Sequence, residues 1–114
     1  MQAFKSGDEL LRALSALANP HRLRILAALS GESTHVSQLA RDLGIGRPLV
    51  HMHLARLESA GLVTGHHEVS DGGKAIRMVE VTDFALRLDP LTIAALAASI
   101  TDPPAGGRTE GENR

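Results

Sequence analysis

Residues 36–60 have the sequence VSQLARDLGIGRPLVHMHLARLESA, which contains two helical patterns separated by a turn with a glycine on either side. In the first pattern, apolar residues recur with the 3.6-residue period of a helix at Val36, Leu39, Ala40 and Leu43. Gly44 follows where a helix commonly ends in the left-handed conformation, and Pro48 falls in the first turn of the second pattern, where a missing N–H costs nothing. The stretch therefore predicts a helix-turn-helix.

The second helix of this motif has a narrow apolar stripe, formed by Val50, Leu54, Leu57 and Gly61. We expect the stripe to face the core, so that the opposite face can enter the major groove of DNA. Arg47 can reach a guanine edge or a phosphate, His51 can donate or accept a hydrogen bond, and Met52 can contact a thymine methyl group. The predicted DNA contacts on this helix are Arg47, Pro48, His51, Met52 and Ala55.

Four further residues complete the predicted DNA surface. Ser37 and Gln38 lie at the start of the preceding helix, where hydroxyl, amide and backbone N–H groups can meet phosphates. Lys74 and Arg77 follow a glycine-rich turn and would meet the DNA backbone or the minor groove.

The segments before the helix-turn-helix predict two more helices. Ser6 and Glu9 have the spacing of a capping box, and Asn19 followed by Pro20 is typical of a helix start. The second of these helices is expected to span His21 to Ser30, with its inward face at Leu23, Leu26, Ala27 and Leu29. Ser33 and Thr34 are candidate caps for the helix that begins near His35 or Val36.

After Gly61 the pattern changes to that of strands. Residues 62–64, Val69 and residues 75–81, with a Ser-Asp-Gly-Gly cluster at 70–73, predict a two-stranded hairpin, or wing. Asp89 and Pro90 then open a helix from Leu91 to Ile100 that is apolar on nearly every side.

A small monomer cannot bury such a helix, so we expect it to pack with the first helix of a second subunit in a two-fold dimer. The predicted interface consists of Leu10, Leu14, Leu17, Leu91, Ala94, Ala95, Leu96 and Ala98. The expected organisation is a flexible N-terminus at residues 1–5, one domain at 6–100 and a disordered tail at 101–114, which is rich in Pro, Gly and charge.

Composition limits the function further. The absence of Cys excludes disulfides and thiolate chemistry. No apolar run is long enough for a membrane span and no signal-peptide layout is present, which favours a cytoplasmic protein without membrane contact. The net charge is −1, but residues 1–60 carry seven Lys and Arg against five Asp and Glu, so the half with the helix-turn-helix is the more positive. With only two Phe and no Trp or Tyr, single-stranded nucleic acid is not an expected ligand.

The order helix, helix, helix-turn-helix, wing, helix over residues 8–100 resembles the ArsR/SmtB family of winged-helix regulators. The matching stretches are LANPHRLRIL at 17–26, residues 36–44 and residues 50–63. The resemblance implies a mainly α fold with a β-hairpin wing, in the order α-α-α-α-β-β-α, dimerising through the first and last helices. It also implies binding to palindromic operators near promoters, usually as a repressor, and in many members release of DNA when a metal ion binds.

At the positions where the family senses metal, the sequence departs from its pattern. The thiolate pair of the family would fall at His35 and Ser37, and the last helix offers no good ligand. His51 and His53 diverge by about 200° around a helix, and the adjacent His66 and His67 point to opposite faces of a strand. A site for Ni²⁺ or Zn²⁺ would have to combine distant residues such as His35, His53, His66 or His67 with Asp or Glu, within one subunit or across the dimer.

Two functions are consistent with the sequence. The first is a dimeric, sequence-specific regulator, a repressor by resemblance, that binds double-stranded DNA at an inverted repeat. The alternative is a winged-helix module that docks on a second regulatory protein, which the near-neutral charge leaves open; a weak dependence on salt would favour it. An enzyme is not expected, because residues 71–74 lack the spacing of a phosphate-binding loop and no three convergent metal ligands are visible.

Overall fold

The computed structural model describes residues 4–101, which form five helices and three strands. In chain order they are α1 (Gly7–Leu17), α2 (Pro20–Leu29), β1 (Thr34–His35), α3 (Val36–Leu43), α4 (Arg47–Ser59), β2 (Val63–Val69), β3 (Ala75–Val81) and α5 (Pro90–Ala97). The mainly α fold with a β-hairpin wing is confirmed. Of the predicted flexible ends, residues 1–3 and 102–114 lie outside the described residues. Phe4 packs against the core, and the backbone N–H of Lys5 donates to Glu9 at 2.7 Å.

Side-chain caps begin three of the helices at the predicted residues. The Ser6 hydroxyl accepts the N–H of Glu9 at 3.1 Å, and the Asn19 side chain accepts the N–H of His21 at 2.8 Å. Asp89 accepts the N–H of Thr92 at 2.8 Å, a hydrogen bond that lowers the pKa of this carboxyl group. These bonds satisfy backbone donors that a helix leaves without partners in its first turn.

α3 begins at Val36, as predicted, but a different residue caps it. Its N-cap is His35, whose ring Nδ1 accepts the N–H of Gln38 at 3.2 Å, in place of Ser33 or Thr34. Thr34 instead belongs to β1, which pairs with β3 opposite Val79. A strand of two residues is too short to show an alternating pattern, so β1 could not be predicted from periodicity.

The wing is a three-stranded antiparallel sheet in the order β1-β3-β2. β2 and β3 pair from Val63 opposite Val81 to Val69 opposite Ala75, and residues 70–74 form the turn. Val63 and Val79 are buried at the base of the hairpin, whereas residues 64–69 of β2 are exposed on both faces. The hairpin therefore projects from the domain.

The core lies between α2, α3, α4 and the base of the wing. Its largest fully buried side chains are Ile25, Leu29, Leu39, Leu54, Leu57, Leu62, Val50, Val63 and Val79. On α2 the predicted inward face was wrong in part. Leu23 is 53% exposed and Ala27 is exposed, while Arg22 and Ile25 are buried.

The last helix ends at Ala97, three residues before the predicted Ile100, and has no buried residue. Its C-terminal end lies against the start of α1, where the Gly7 N–H donates to Ser99 Oγ at 2.8 Å. The N–H and hydroxyl of Thr101 both donate to the Asp8 carboxylate and lower its pKa. None of the helices in the described part of the chain is long and apolar enough to cross a membrane.

Candidate nucleic-acid interface

One face of α4 packs in the core, and the opposite face is exposed. Val50, Leu54 and Leu57 have no exposed surface. The five residues predicted to contact DNA on this helix are all exposed: Arg47, Pro48, His51, Met52 and Ala55. Gly44 ends α3 with φ 69°, in the left-handed region, and Pro48 lies in the first turn of α4. Gly44 and Pro48, from which the turn was predicted, therefore also determine the direction of α4 after the turn.

A surface groove of about 320 Å³, here called the wing groove, lies between the start of α3, α4 and β3. Five of its lining residues carry or can carry positive charge: His35, Arg47, His51, Lys74 and Arg77. Within residues 4–101, the Arg47 guanidinium and the Lys74 ammonium have no hydrogen-bond or ion-pair partner. Unpaired cations lining a groove suit a polyanion such as a DNA backbone.

A second groove of about 430 Å³ follows the elbow of the helix-turn-helix and is lined by Ser37, Ala40, Arg41, Gly44, Ile45 and Arg47. Ser37 and Arg47 line both grooves, so the two form one continuous surface. At the start of α3, backbone N–H groups have no intrahelical partner and the helix dipole favours an anion. Ser37 is therefore well placed for the phosphate contact predicted for it.

Gln38 is less available than the sequence suggested. Its N–H is capped by His35, its amide nitrogen donates to Asp42 at 2.7 Å, and its amide oxygen accepts from Arg41 at 2.7 Å. A phosphate contact by this side chain would require these hydrogen bonds to rearrange.

The Arg77 side chain is partly buried. Its guanidinium forms an ion pair with Glu58 near the end of α4, and both side chains are about three-tenths exposed. The pair lies directly over Gly65 of β2, where a Cβ atom would be 3.0 Å from both side chains. The Arg77–Glu58 pair thus connects the wing to α4, and Lys74 is the freer of the two wing cations predicted to contact DNA.

The four histidines considered as metal ligands do not converge. His35 caps α3, His66 pairs with Glu68 at 2.8 Å, His67 is exposed, and His53 is 3% exposed between α2 and α4. No group of three or more His, Asp or Glu side chains in residues 4–101 could hold a metal ion. His53 is directed at the Arg22 guanidinium, which makes it a poor ligand for a cation.

The contact between Arg22 and His53 is a structural feature that the sequence analysis missed. Arg22 is 9% exposed, and its Nη1 lies 3.1 Å from His53 Nδ1. Burial, then the nearby Arg22 and His21, lowers the pKa of His53. The spacing of Arg22 with Ile25 and Leu29 at i+3 and i+7 is the signal that places this arginine on the inner face of α2.

The residues predicted at a dimer interface differ in exposure. Leu91, Ala94, Ala95 and Ala98 are exposed, and Leu14, Leu17 and Leu96 are half-buried. Leu10 is buried within the single chain, with only 6% of its surface exposed. It therefore leaves little surface for contact with a second copy. On α1 and α5, the large apolar residues most open to a partner are Leu91, Leu11 and Ile93.

The fold and this surface define a winged helix-turn-helix protein that binds DNA. Residues 19–64 match the family described as "Bacterial regulatory protein, arsR family". The chain is 35% identical over 95 residues to the HTH-type transcriptional regulator CmtR of Mycobacterium tuberculosis, which covers 83% of this chain and 77% of CmtR. It is also 39% identical over 64 residues to the HTH-type transcriptional repressor SmtB of the same organism, over 56% of this chain and 45% of the relative.

Among solved structures, the chain is similar to the homodimeric winged helix-turn-helix DNA-binding domain of a possible ArsR-family transcriptional regulator from Mycobacterium bovis. The two share 27% identity with a TM-score of 0.58, over 80% of this chain and 73% of that domain. The protein belongs to the arsR family of bacterial transcriptional regulators. Its relatives are regulators of transcription, not enzymes.

Proposed function

We propose that the protein is a homodimeric repressor that binds an inverted-repeat operator, with α4 of each copy in the major groove. The observation that carries this proposal is the continuous surface around Arg47, where exposed residues of α4 lie beside the free Lys74 of the wing and the start of α3. In the winged-helix arrangement these three elements meet the major groove and the phosphates on either side of it.

The dimer follows from α5. This helix has no buried residue, and Leu91 is 84% exposed, so a single chain leaves an apolar helix in water. The related Mycobacterium bovis domain is described as homodimeric. Two copies related by a two-fold axis would place two α4 helices on two half-sites, which matches an inverted repeat. The relative SmtB is a transcriptional repressor, which supports repression as the mode of regulation.

The proposal is tested by titrating a duplex of the DNA upstream of the protein's own gene at two salt concentrations. Several phosphates are neutralised in each dimer, so affinity should fall steeply as salt rises. Arg47→Ala should weaken binding by about 1–3 kcal/mol. The control is Arg24→Ala, an exposed arginine of α2 that lines neither groove. Equal effects of the two substitutions, or specific binding that is insensitive to salt, would contradict the proposal.

Repression is measured separately with a reporter whose promoter overlaps the DNA segment that the protein binds in this titration. Expression should fall when the protein is present and recover with Arg47→Ala. An increase in expression would identify an activator and refute this part of the proposal.

A response to Ni²⁺ or Zn²⁺ stays a prediction, because a single chain does not bring the candidate histidines together. The same titration with each ion added tests whether two copies form a shared site. A protein-docking module that acts through a second regulatory protein has no support from these relatives, which are named as regulators of transcription.

A further inference from the structure

In the N-terminal half of α4, the side that points away from the core is apolar. With about 100° of rotation per residue, Val50, Leu54 and Leu57 fix the inward direction, and Pro48, Met52 and Ala55 lie around the opposite direction. The exposed polar residues on this side, Arg56 and Ser59, follow near the C-terminal end, whereas helices of this motif contact base edges with their N-terminal residues. Pro48, Met52 and Ala55 are all exposed, and Met52 is 51% exposed. These three residues are here called the reading face. Arg47 and His51 lie to one side of it and line the wing groove.

The chemistry of the reading face limits what it can recognise. Pro48 and Ala55 have no polar side-chain atom, and the Met52 thioether is at most a weak acceptor. Base edges in the major groove present hydrogen-bond donors and acceptors at every pair, and the one apolar group among them is the C5-methyl of thymine. An apolar side chain pressed against the polar edge of a G·C pair would leave donors and acceptors without partners, at a cost in free energy.

We infer that each operator half-site contains a thymine whose C5-methyl group packs on Met52, flanked by Pro48 and Ala55, and that this contact determines sequence specificity. The inference rests on the proposed function and names the base that the recognition helix selects. Burial of the methyl group favours a T·A pair at this position, and the unpaired polar edges disfavour G·C. The flexible, polarisable side chain of Met52 can adjust to the shape of the methyl group.

The test uses the full-length protein and a duplex that it selects from a random-sequence pool. The selected duplex is synthesised with deoxyuridine in place of thymidine, at one pair of symmetry-related positions at a time. Deoxyuridine has the same hydrogen-bonding groups as thymidine and lacks only the methyl group. At one such pair of positions the affinity should fall about fourfold for each methyl group, or roughly 15-fold for both half-sites.

Two variants identify the residue that contacts the methyl group. Met52→Ala should weaken binding to the thymine duplex and bind the uracil duplex equally well, whereas Met52→Leu, which keeps an apolar side chain of similar size, should retain most of the preference. A uracil penalty that is undiminished in Met52→Ala, or wild-type binding that is unchanged by uracil at every position, would overturn the inference and leave the proposed function standing. If the protein selects no duplex at all, the proposed function fails and the inference fails with it.

Discussion

Arg22 joins three helices through one guanidinium group. Its Nε donates to the carbonyl of Ala16 and its Nη2 to the carbonyl of Ser15 at 3.3 Å, near the end of α1. Its Nη1 lies 3.1 Å from Nδ1 of His53 on α4. A buried charge is tolerated when it is hydrogen-bonded, and the three partners of Arg22 lie on α1, which carries part of the predicted dimer interface, and on α4.

Replacing Arg22 with Met should therefore lower the free energy of unfolding by about 2–4 kcal/mol, because three acceptors, two of them buried, lose their donor. The measurement is urea unfolding followed by circular dichroism. Arg24→Met is the matched control, since Arg24 is an exposed arginine on the same helix. If the two variants lose the same stability, the Arg22 hydrogen bonds contribute little.

His53 should make stability depend on pH. Burial and the neighbouring Arg22 lower its pKa below the ordinary 6.5 in the folded protein, so the folded state keeps it neutral where the unfolded chain protonates it. As pH falls from 7 towards 5 the unfolded state binds more protons, and the free energy of unfolding decreases by at most about 1.4 kcal/mol per pH unit from this group.

Urea unfolding at a series of pH values measures this slope. His53→Asn retains an acceptor for Arg22 but cannot titrate in this range, so its slope should be flatter than that of the wild type. His67→Asn, at an exposed position of the wing, should keep the wild-type slope. The assignment to His53 is wrong if His53→Asn retains the full dependence.

At the scale of the elements, the predictions that succeeded depend on neighbours in sequence. The caps at Ser6, Asn19 and Asp89 each involve an N–H two or three residues away, so the local sequence contains both partners. The Arg77–Glu58 pair joins residues 19 positions apart and could not be predicted, because it requires the wing and α4 to be positioned first. The contact between Arg22 and His53, which lie 31 positions apart, could not be predicted for the same reason.

The site was predicted unevenly for the same reason. The helical period identified which residues of α4 point outward, and all five are exposed. Periodicity does not reveal whether an exposed side chain is already engaged, as Gln38 is with Arg41 and Asp42. The sequence therefore predicts the exposure of the candidate residues better than the availability of each side chain.

The junction of α1 and α5 depends on a glycine. A Cβ atom at Gly7 would overlap the carbonyl oxygen of Leu96 and the side chain of Ile100, so only glycine allows the two helix ends to approach this closely. Although alanine normally favours a helix over glycine, Gly7→Ala should here lower the free energy of unfolding by about 1–3 kcal/mol, through overpacking.

Urea unfolding provides the value, and hydrogen exchange should show faster exchange in α5. Gly72→Ala in the wing turn is the control, because nothing lies within 4 Å of its added Cβ and it should leave stability almost unchanged. A Gly7→Ala protein as stable as the wild type would show that the junction is adaptable.

At the scale of the whole molecule, the exposed apolar surface and the positively charged surface lie on different elements. The cations around Arg47 and Lys74 face outward from α4 and the wing, while α5 presents Leu91 and Ile93 with no charge among its eight residues. A net charge of −1 offers little general attraction to DNA. Affinity should therefore depend on local cations and on two copies binding together, which makes dimerisation a condition of tight operator binding.

Leu91→Lys tests this dependence at the most exposed apolar position of α5. A charge placed in an apolar interface must be desolvated on association, so sedimentation equilibrium should show monomers at concentrations where the wild type is dimeric. Leu91 is a better choice than Leu96, which is half-buried against its own chain and whose substitution would also disturb folding.

The matched control is Val69→Lys, at a position on the wing that is 75% exposed. The monomeric variant should keep the wild-type circular dichroism spectrum and bind a full operator no more tightly than a half-site. If Leu91→Lys remains dimeric, α5 is not the interface and the two-fold arrangement of α4 helices must be built in another way.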